Sequence, residues 1–143
     1  YSVPIAGGSA VKVSGPMAAT SDVLRFQISP DGTRVVYQAD QNVDDQFEIY
    51  SAIISGGGVV KLNAPLVANG DTMDFLVSPD SANVVYEGDQ DVDGRTELYS
   101  VSIFGGNAIK LNDPLVAGGN VILYYYQISL DGVKVIYRAD QDT

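Results

Sequence analysis

The chain repeats itself at a fixed interval, and that interval limits the folds open to it more than any other property. Tyr1-Ser2, Tyr50-Ser51 and Tyr99-Ser100 stand 49 residues apart, as do Gly7-Gly8, Gly56-Gly57 and Gly105-Gly106. Lys12, Lys61 and Lys110 keep the same offset, then Pro16, Pro65 and Pro114, and Lys61-Leu62-Asn63 returns as Lys110-Leu111-Asn112. The turn Ser29-Pro30-Asp31-Gly32 comes back as Ser78-Pro79-Asp80-Ser81 after 49 residues, but as Ser129-Leu130-Asp131-Gly132 after a further 51. Two residues have therefore entered the third repeat, around Tyr124-Tyr125-Tyr126. The repeats run approximately 1–49, 50–98 and 99–143 within one domain, 1–143.

Each repeat reads as four short strands. The second full unit predicts them at Met73 to Ser78, Asn83 to Glu87, Thr96 to Ile103 and Ala108 to Leu111. Val, Ile, Tyr and Leu dominate these runs, while Gly, Pro, Asp and Asn punctuate them, and no stretch sustains a helical period. Pro30 and Pro79 suit the second position of a type I turn, and the Gly-Gly pairs supply positive φ between the third and fourth strands. The chain is all-β, and four strands recurring every ~40–50 residues mark a β-propeller blade.

The run from Ser29 to Tyr37 (SPDGTRVVY), followed by Glu48-Ile49-Tyr50 and Gly56-Gly57, resembles the TolB-like β-propeller repeat, and the likeness spans the chain. The same residues are similar to the N-terminal propeller of prolyl-oligopeptidase and dipeptidyl-peptidase-type proteins. The resemblance implies blades of four antiparallel strands and a periplasmic or extracellular setting. It specifies a fold and leaves the function open.

Counted from Tyr1, the chain offers the last two strands of one blade, two complete blades and the first two strands of another, about three blades in permuted phase. Propellers close with about four to eight blades, and half-blades present unpaired edges. The complementary ends predict a homodimer, three blades from each copy closing a six-bladed ring. The competing reading makes the chain a piece of a longer protein, since Tyr1 is no translation start.

Composition removes several functions. With no Cys and no His, the chain has no thiol nucleophile, no disulfide framework and no Ser-His-Asp or Cys-His catalysis of its own. Its 18 acidic against 8 basic residues give a net charge of −10, which repels nucleic acid and anionic membrane surfaces and favours cationic partners. No apolar run approaches the ~20 residues that cross a bilayer as a helix. The expectation is a noncatalytic scaffold or binding module for a protein, a peptide or a small cationic ligand. The alternative is a fragment of the propeller gating domain of a prolyl-oligopeptidase-type hydrolase, which a flanking Gly-x-Ser-x-Gly elbow would decide. A calcium-dependent propeller phosphatase is disfavoured, because a substrate phosphate needs a basic or multi-metal site and the basic residues here are scattered.

The loops between second and third strands are the most pointed chemical feature. Asp89, Asp91 and Asp93 alternate, Gly94 falls at the sixth position, the Arg95 carbonyl at the seventh and Glu97 at the ninth, which matches the first half of a calcium loop. Position twelve is Ser100 in place of the bidentate Glu, and the flanks are strands. The first copy offers Asp40, Asn42, Asp44 and Glu48, with Asp45 required to take a left-handed conformation where glycine is usual. Asp140-Gln141-Asp142 begins a third copy. Calcium is thus a candidate ion, and magnesium, which keeps more of its water, a poorer one. The competing reading is a polar hairpin loop whose Asp side chains cap local N–H groups.

Strand alternation puts the acidic loops and the loops Ala64 to Asp71 and Asp113 to Asn120 at one end, the top, and the Ser-Pro-Asp and Gly-Gly turns at the other. Arg25 and Asp74 occupy equivalent inner-strand positions, predicted to pair across blades or line a channel. Tyr37, Tyr86 and Tyr137 are expected in the core, and Tyr124, Tyr125 and Tyr126 in blade-to-blade packing or ligand stacking. Asp31, Asp80 and Asp131 are expected to brace the bottom turns.

Overall fold

In the computed structural model, which describes residues 1–142, the strands are β1 (Val23–Ile28), β2 (Arg34–Ala39), β3 (Glu48–Ile53), β4 (Val60–Lys61), β5 (Thr72–Val77), β6 (Asn83–Gly88), β7 (Glu97–Ser102), β8 (Ile109–Lys110), β9 (Val121–Ile128) and β10 (Val135–Ala139). They form two four-stranded antiparallel sheets, β1-β2-β3-β4 and β5-β6-β7-β8, and the hairpin β9-β10. Each four-stranded sheet is one blade, and every pairing joins sequence neighbours, as the hairpin spacing predicts. The last strands are shorter than the Ala108 to Leu111 run suggested, two residues each.

The bottom turns follow from their residues. Asp31 Oδ1 accepts from the Ser29 hydroxyl at 2.6 Å and the Thr33 N–H at 3.0 Å, and Asp80 and Asp131 repeat the arrangement. The position after them is left-handed in all three repeats: Gly32 (φ 71°), Ser81 (φ 62°) and Gly132 (φ 72°). These hydrogen bonds, Ser29, Ser78 and Ser129 foremost, hold the three turn carboxyls below their ordinary pKa.

Every inner strand carries a bulge near its start. The register of β1 on β2 slips between Val23 and Arg25, and that of β5 on β6 between Thr72 and Asp74. In β9 the slip lies between the pairs Tyr137↔Tyr126 and Ala139↔Val121, and the two extra residues of the third repeat are absorbed there, with Tyr124 left-handed at φ 65°. An insertion inside a bulge leaves the rest of the ladder in register.

The core lies between blades. Val36, Ile49 and Leu62 of the first blade pack with Phe75, Val77, Val84 and Tyr86 of the second. Val85 and Leu98 of the second blade pack in turn with Val121 and Tyr126 of the hairpin. Tyr37 stacks on Tyr50 with ring centroids 5.4 Å apart, and Tyr86 on Tyr99 at 5.2 Å, as tyrosines directly opposite on neighbouring strands do. Tyr137, expected in the core, is only half-buried, because among the described residues no third strand stands beside β10.

Two other expectations need correction. The first half-blade is present only as a bridge, Ser2 with Val11, and not as two strands. The segment packs on the first blade through Val13 and Met17, and Ser2 donates to the Ile54 carbonyl, but no inner strand lies beside it to extend the ladder, and an isolated two-stranded pair is marginal in water. Of the three consecutive tyrosines, Tyr126 is buried in the seam, whereas Tyr124 and Tyr125 are exposed, since the bulge turns them off the packed face.

Candidate binding face

The top loops are organised by one aspartate in each repeat. Asp89 accepts the Asp71 N–H at 2.6 Å through Oδ1 and the Gly94 N–H at 2.8 Å through Oδ2. Asp40 does the same with Asp22 (2.6 Å) and Asp45 (3.1 Å), and Asp140 accepts from Asn120 at 3.3 Å. One carboxylate thus fixes its own hairpin loop and the approach to its inner strand. The Asp22 N–H, then the Asp45 N–H, holds the Asp40 carboxyl below its ordinary pKa against the effect of burial. Asp45 is left-handed at φ 60°, as the calcium-loop alignment required, and Gly94 matches it at φ 73°. The conformation serves the N–H that each presents to its aspartate.

The remaining acidic positions are assigned differently from a calcium site. Glu48 receives Lys61 Nζ at 2.7 Å, the Tyr50 hydroxyl at 2.6 Å and Asn42 Nδ2 at 2.8 Å. Glu97 receives Lys110 Nζ at 2.6 Å and the Tyr99 hydroxyl at 3.1 Å. Asp91, standing where the first repeat has Asn42, also binds Lys110 Nζ, at 2.8 Å. The register that sets Lys61 opposite Tyr50, and Lys110 opposite Tyr99, brings each ammonium to its glutamate. Burial raises the Glu48 carboxyl, but Lys61, Tyr50 and Asn42 outweigh it, so the net shift is downward.

Of the candidate metal ligands, then, the structure brings Asp91 and Glu97 together, but around an ammonium. Asp89 and Asp40 face backbone amides, Asp44 and Asp93 are exposed on the loops, and Glu48 faces Lys61. Among the described residues no group of three or more acidic side chains stands close enough to hold a metal ion. The side chain of Arg95, whose carbonyl was the seventh-position candidate, reaches the Leu115 carbonyl at 3.1 Å. The arrangement does not fit calcium: a tethered cation lies where Asp91 and Glu97 would bind it. The sequence carried the signal, since Glu48 and Glu97 share the 49-residue offset of Lys61 and Lys110.

The loops of successive blades meet on this face. Asp71 accepts the Phe47 N–H at 2.7 Å, and the equivalent Asn120 accepts the Thr96 N–H at 2.9 Å. Burial raises the Asp71 carboxyl above its ordinary pKa; the Phe47 N–H opposes this, and Asp89, Asp45 and Asp93 add to it. Their charges are felt together, across two blades. Arg25 and Asp74 form the ion pair between blades that their equivalent positions suggested, with the guanidinium 5.0 Å from the Phe75 ring centroid.

No protein-family model and no curated protein matches the sequence. Among solved structures, a TolB candidate from Agrobacterium tumefaciens is similar over 59% of this chain, with 20% identity and a TM-score of 0.47. The aligned part covers 31% of that protein, so the chain spans about a third of its length.

Proposed function

We propose that the chain is a noncatalytic β-propeller module that assembles as a homodimer and uses its acidic loop face to hold a cationic protein segment, peptide or small ligand. The observation that carries the ligand class is the gathering of carboxylates from successive loops on that face, where Asp89 accepts the Asp71 N–H and Asp71 in turn accepts the Phe47 N–H of the preceding blade. Eleven of the fifteen aspartates lie in loops at that end. Such a surface gains from a positive partner by relief of its own repulsion as well as by direct attraction.

The absence of His and Cys and the engagement of Glu48 and Glu97 by lysines support a noncatalytic role. The lowered turn and loop carboxyls Asp31, Asp40, Asp80 and Asp131 are each held by local hydrogen bonds, and the raised Glu87 by its burial in the seam. Titration with a short oligoarginine peptide tests the reading: binding is expected at low salt, weaker at high salt, and weaker again in the double variant Asp45→Asn, Asp93→Asn. Absence of binding at low salt, or binding that the variant leaves unchanged, overturns it.

A further inference from the structure

The blade seams inside the chain show what its outer faces are built to meet. Phe26, Phe75 and Tyr126 are equivalent positions on the incoming face of successive inner strands, and their exposures are 70%, 0% and 5%. Val36, Val85 and Ile136 are equivalent positions on the outgoing face of the second strands, with exposures of 0%, 3% and 76%. Val36 belongs to the cluster that covers Phe75, and Val85 to the one that covers Tyr126. One acceptor, Phe26, and one donor, Ile136, are left over.

The polar contacts repeat the same logic. Gln38 of β2 donates its Nε2 to the Thr72 carbonyl of the next blade, and Gln27 Oε1 accepts the Val77 N–H at 3.1 Å. At the second seam Glu87 replaces Gln38 and accepts the Tyr124 N–H at 2.9 Å, because the inserted bulge presents a donor where the ordinary one presents a carbonyl. The outgoing face of β9-β10 carries Gln127 and Arg138 at these positions, an acceptor and a donor like Gln27 and Gln38. The bulge of β1 is the ordinary one without insertion, so it presents the Val23 carbonyl and the Ile28 N–H. Arg138 matches β1 and would mismatch a bulge like that of β9.

We propose that a second copy of this chain docks head to tail, its hairpin β9-β10 laid on β1 so that Ile136 covers Phe26, Arg138 reaches the Val23 carbonyl and Gln127 the Ile28 N–H. This rests on the homodimeric reading above and specifies its faces. A cleft of about 1010 Å³ between the N-terminal segment and β1-β2, lined by Tyr1, Val3, Val13, Leu24, Phe26 and Val35 among others, is the space the hairpin fills. The same placement sets β10 beside the N-terminal segment with Tyr137 opposite Tyr1, as Tyr37 is opposite Tyr50 and Tyr86 opposite Tyr99. A head-to-tail contact made twice closes on itself with two copies.

Light scattering on the wild-type chain and on two variants, Phe26→Lys and Ile136→Glu, tests the proposal. The wild type is expected to be a dimer, and each variant alone to associate more weakly by on the order of a hundredfold, because it buries an unpaired charge. An equimolar mixture is expected to regain the dimer, since one seam is then unaltered and the other opposes Lys to Glu. A monomeric wild type overturns the homodimeric reading itself. A dimer that both variants leave intact, or a mixture that recovers nothing, leaves that reading standing and overturns the faces assigned here. If a charge at either position disrupts the fold, Arg138→Glu and Arg138→Gln supply the same readout: the first loses association, the second keeps the donor and retains it.

Discussion

The seam between the first two blades and the outer faces of the molecule use the same repeat positions, and they differ in what stands beside them. At the inner seam Phe75 is sealed under Val36, and Gln38 and Gln27 tie two blades together through backbone groups. On the outside, Phe26 and Ile136 carry the same chemistry into solvent. A blade is thus held largely by its seams, as nearest-neighbour coupling in repeat proteins requires.

The largest test of that contrast is truncation at equivalent positions. Phe75→Ala is expected to cost about 3–5 kcal/mol in urea unfolding, as for a fully buried aromatic. Phe26→Ala, measured on chains held apart by Ile136→Glu, is expected to change stability by under about 0.5 kcal/mol. Equal costs would break the comparison.

The loop aspartates sharpen it at intermediate size. Asp89→Ala leaves the Asp71 and Gly94 N–H groups without their acceptor and is expected to cost about 1–3 kcal/mol. Asp140→Ala, on the open hairpin with one long 3.3 Å contact, is expected to cost less in the same assay.

Two buried glutamates give opposite pH slopes. The Glu48 carboxyl is shifted downward, so its contribution is present above its ordinary pKa of 4.5 and is lost as pH falls through the native value. Burial shifts Glu87 upward, against the Tyr124 N–H and Arg25, so its favourable contribution is full below 4.5 and is lost as pH rises through the native value. Unfolding free energies across pH 3 to 7 should therefore show Glu48→Gln converging on the wild type toward acid. Glu87→Gln, which keeps an acceptor for Tyr124, should gain on the wild type as pH rises. Parallel curves would contradict both assignments.

The smallest expected effect is none. Calcium or a chelator should leave the melting temperature unchanged, because Lys110 occupies the place between Asp91 and Glu97. A calcium-dependent rise would mean that the ammonium is displaced.

Much of this was legible in the residues. The strand limits of the second unit follow from the residues to within about one position, because turn chemistry at Pro79-Asp80 and Gly105-Gly106 marks them sharply. The left-handed Asp45 was legible from its alignment with Gly94, although the reason for it is the N–H given to Asp40 and not a metal. What could not be read was register across space. Lys110 faces Glu97 only because β8 pairs with β7 at Tyr99, and the exchange of Gln38 for Glu87 makes sense only beside the bulge at Tyr124. The recurring Asp-Gln pairs were a missed signal: Gln41, Gln90 and Gln141 each accept a hydroxyl from Tyr37, Tyr86 and Tyr137 at 3.0, 2.7 and 2.7 Å.

The proposed homodimer closes its blades through contacts between two copies of this chain. The most direct measurement is the mass of the unmodified 143-residue chain in solution across a dilution series. A mass of two chains, about twice 15.2 kDa, that falls only on strong dilution is the result expected. A mass of one chain at every concentration would contradict it.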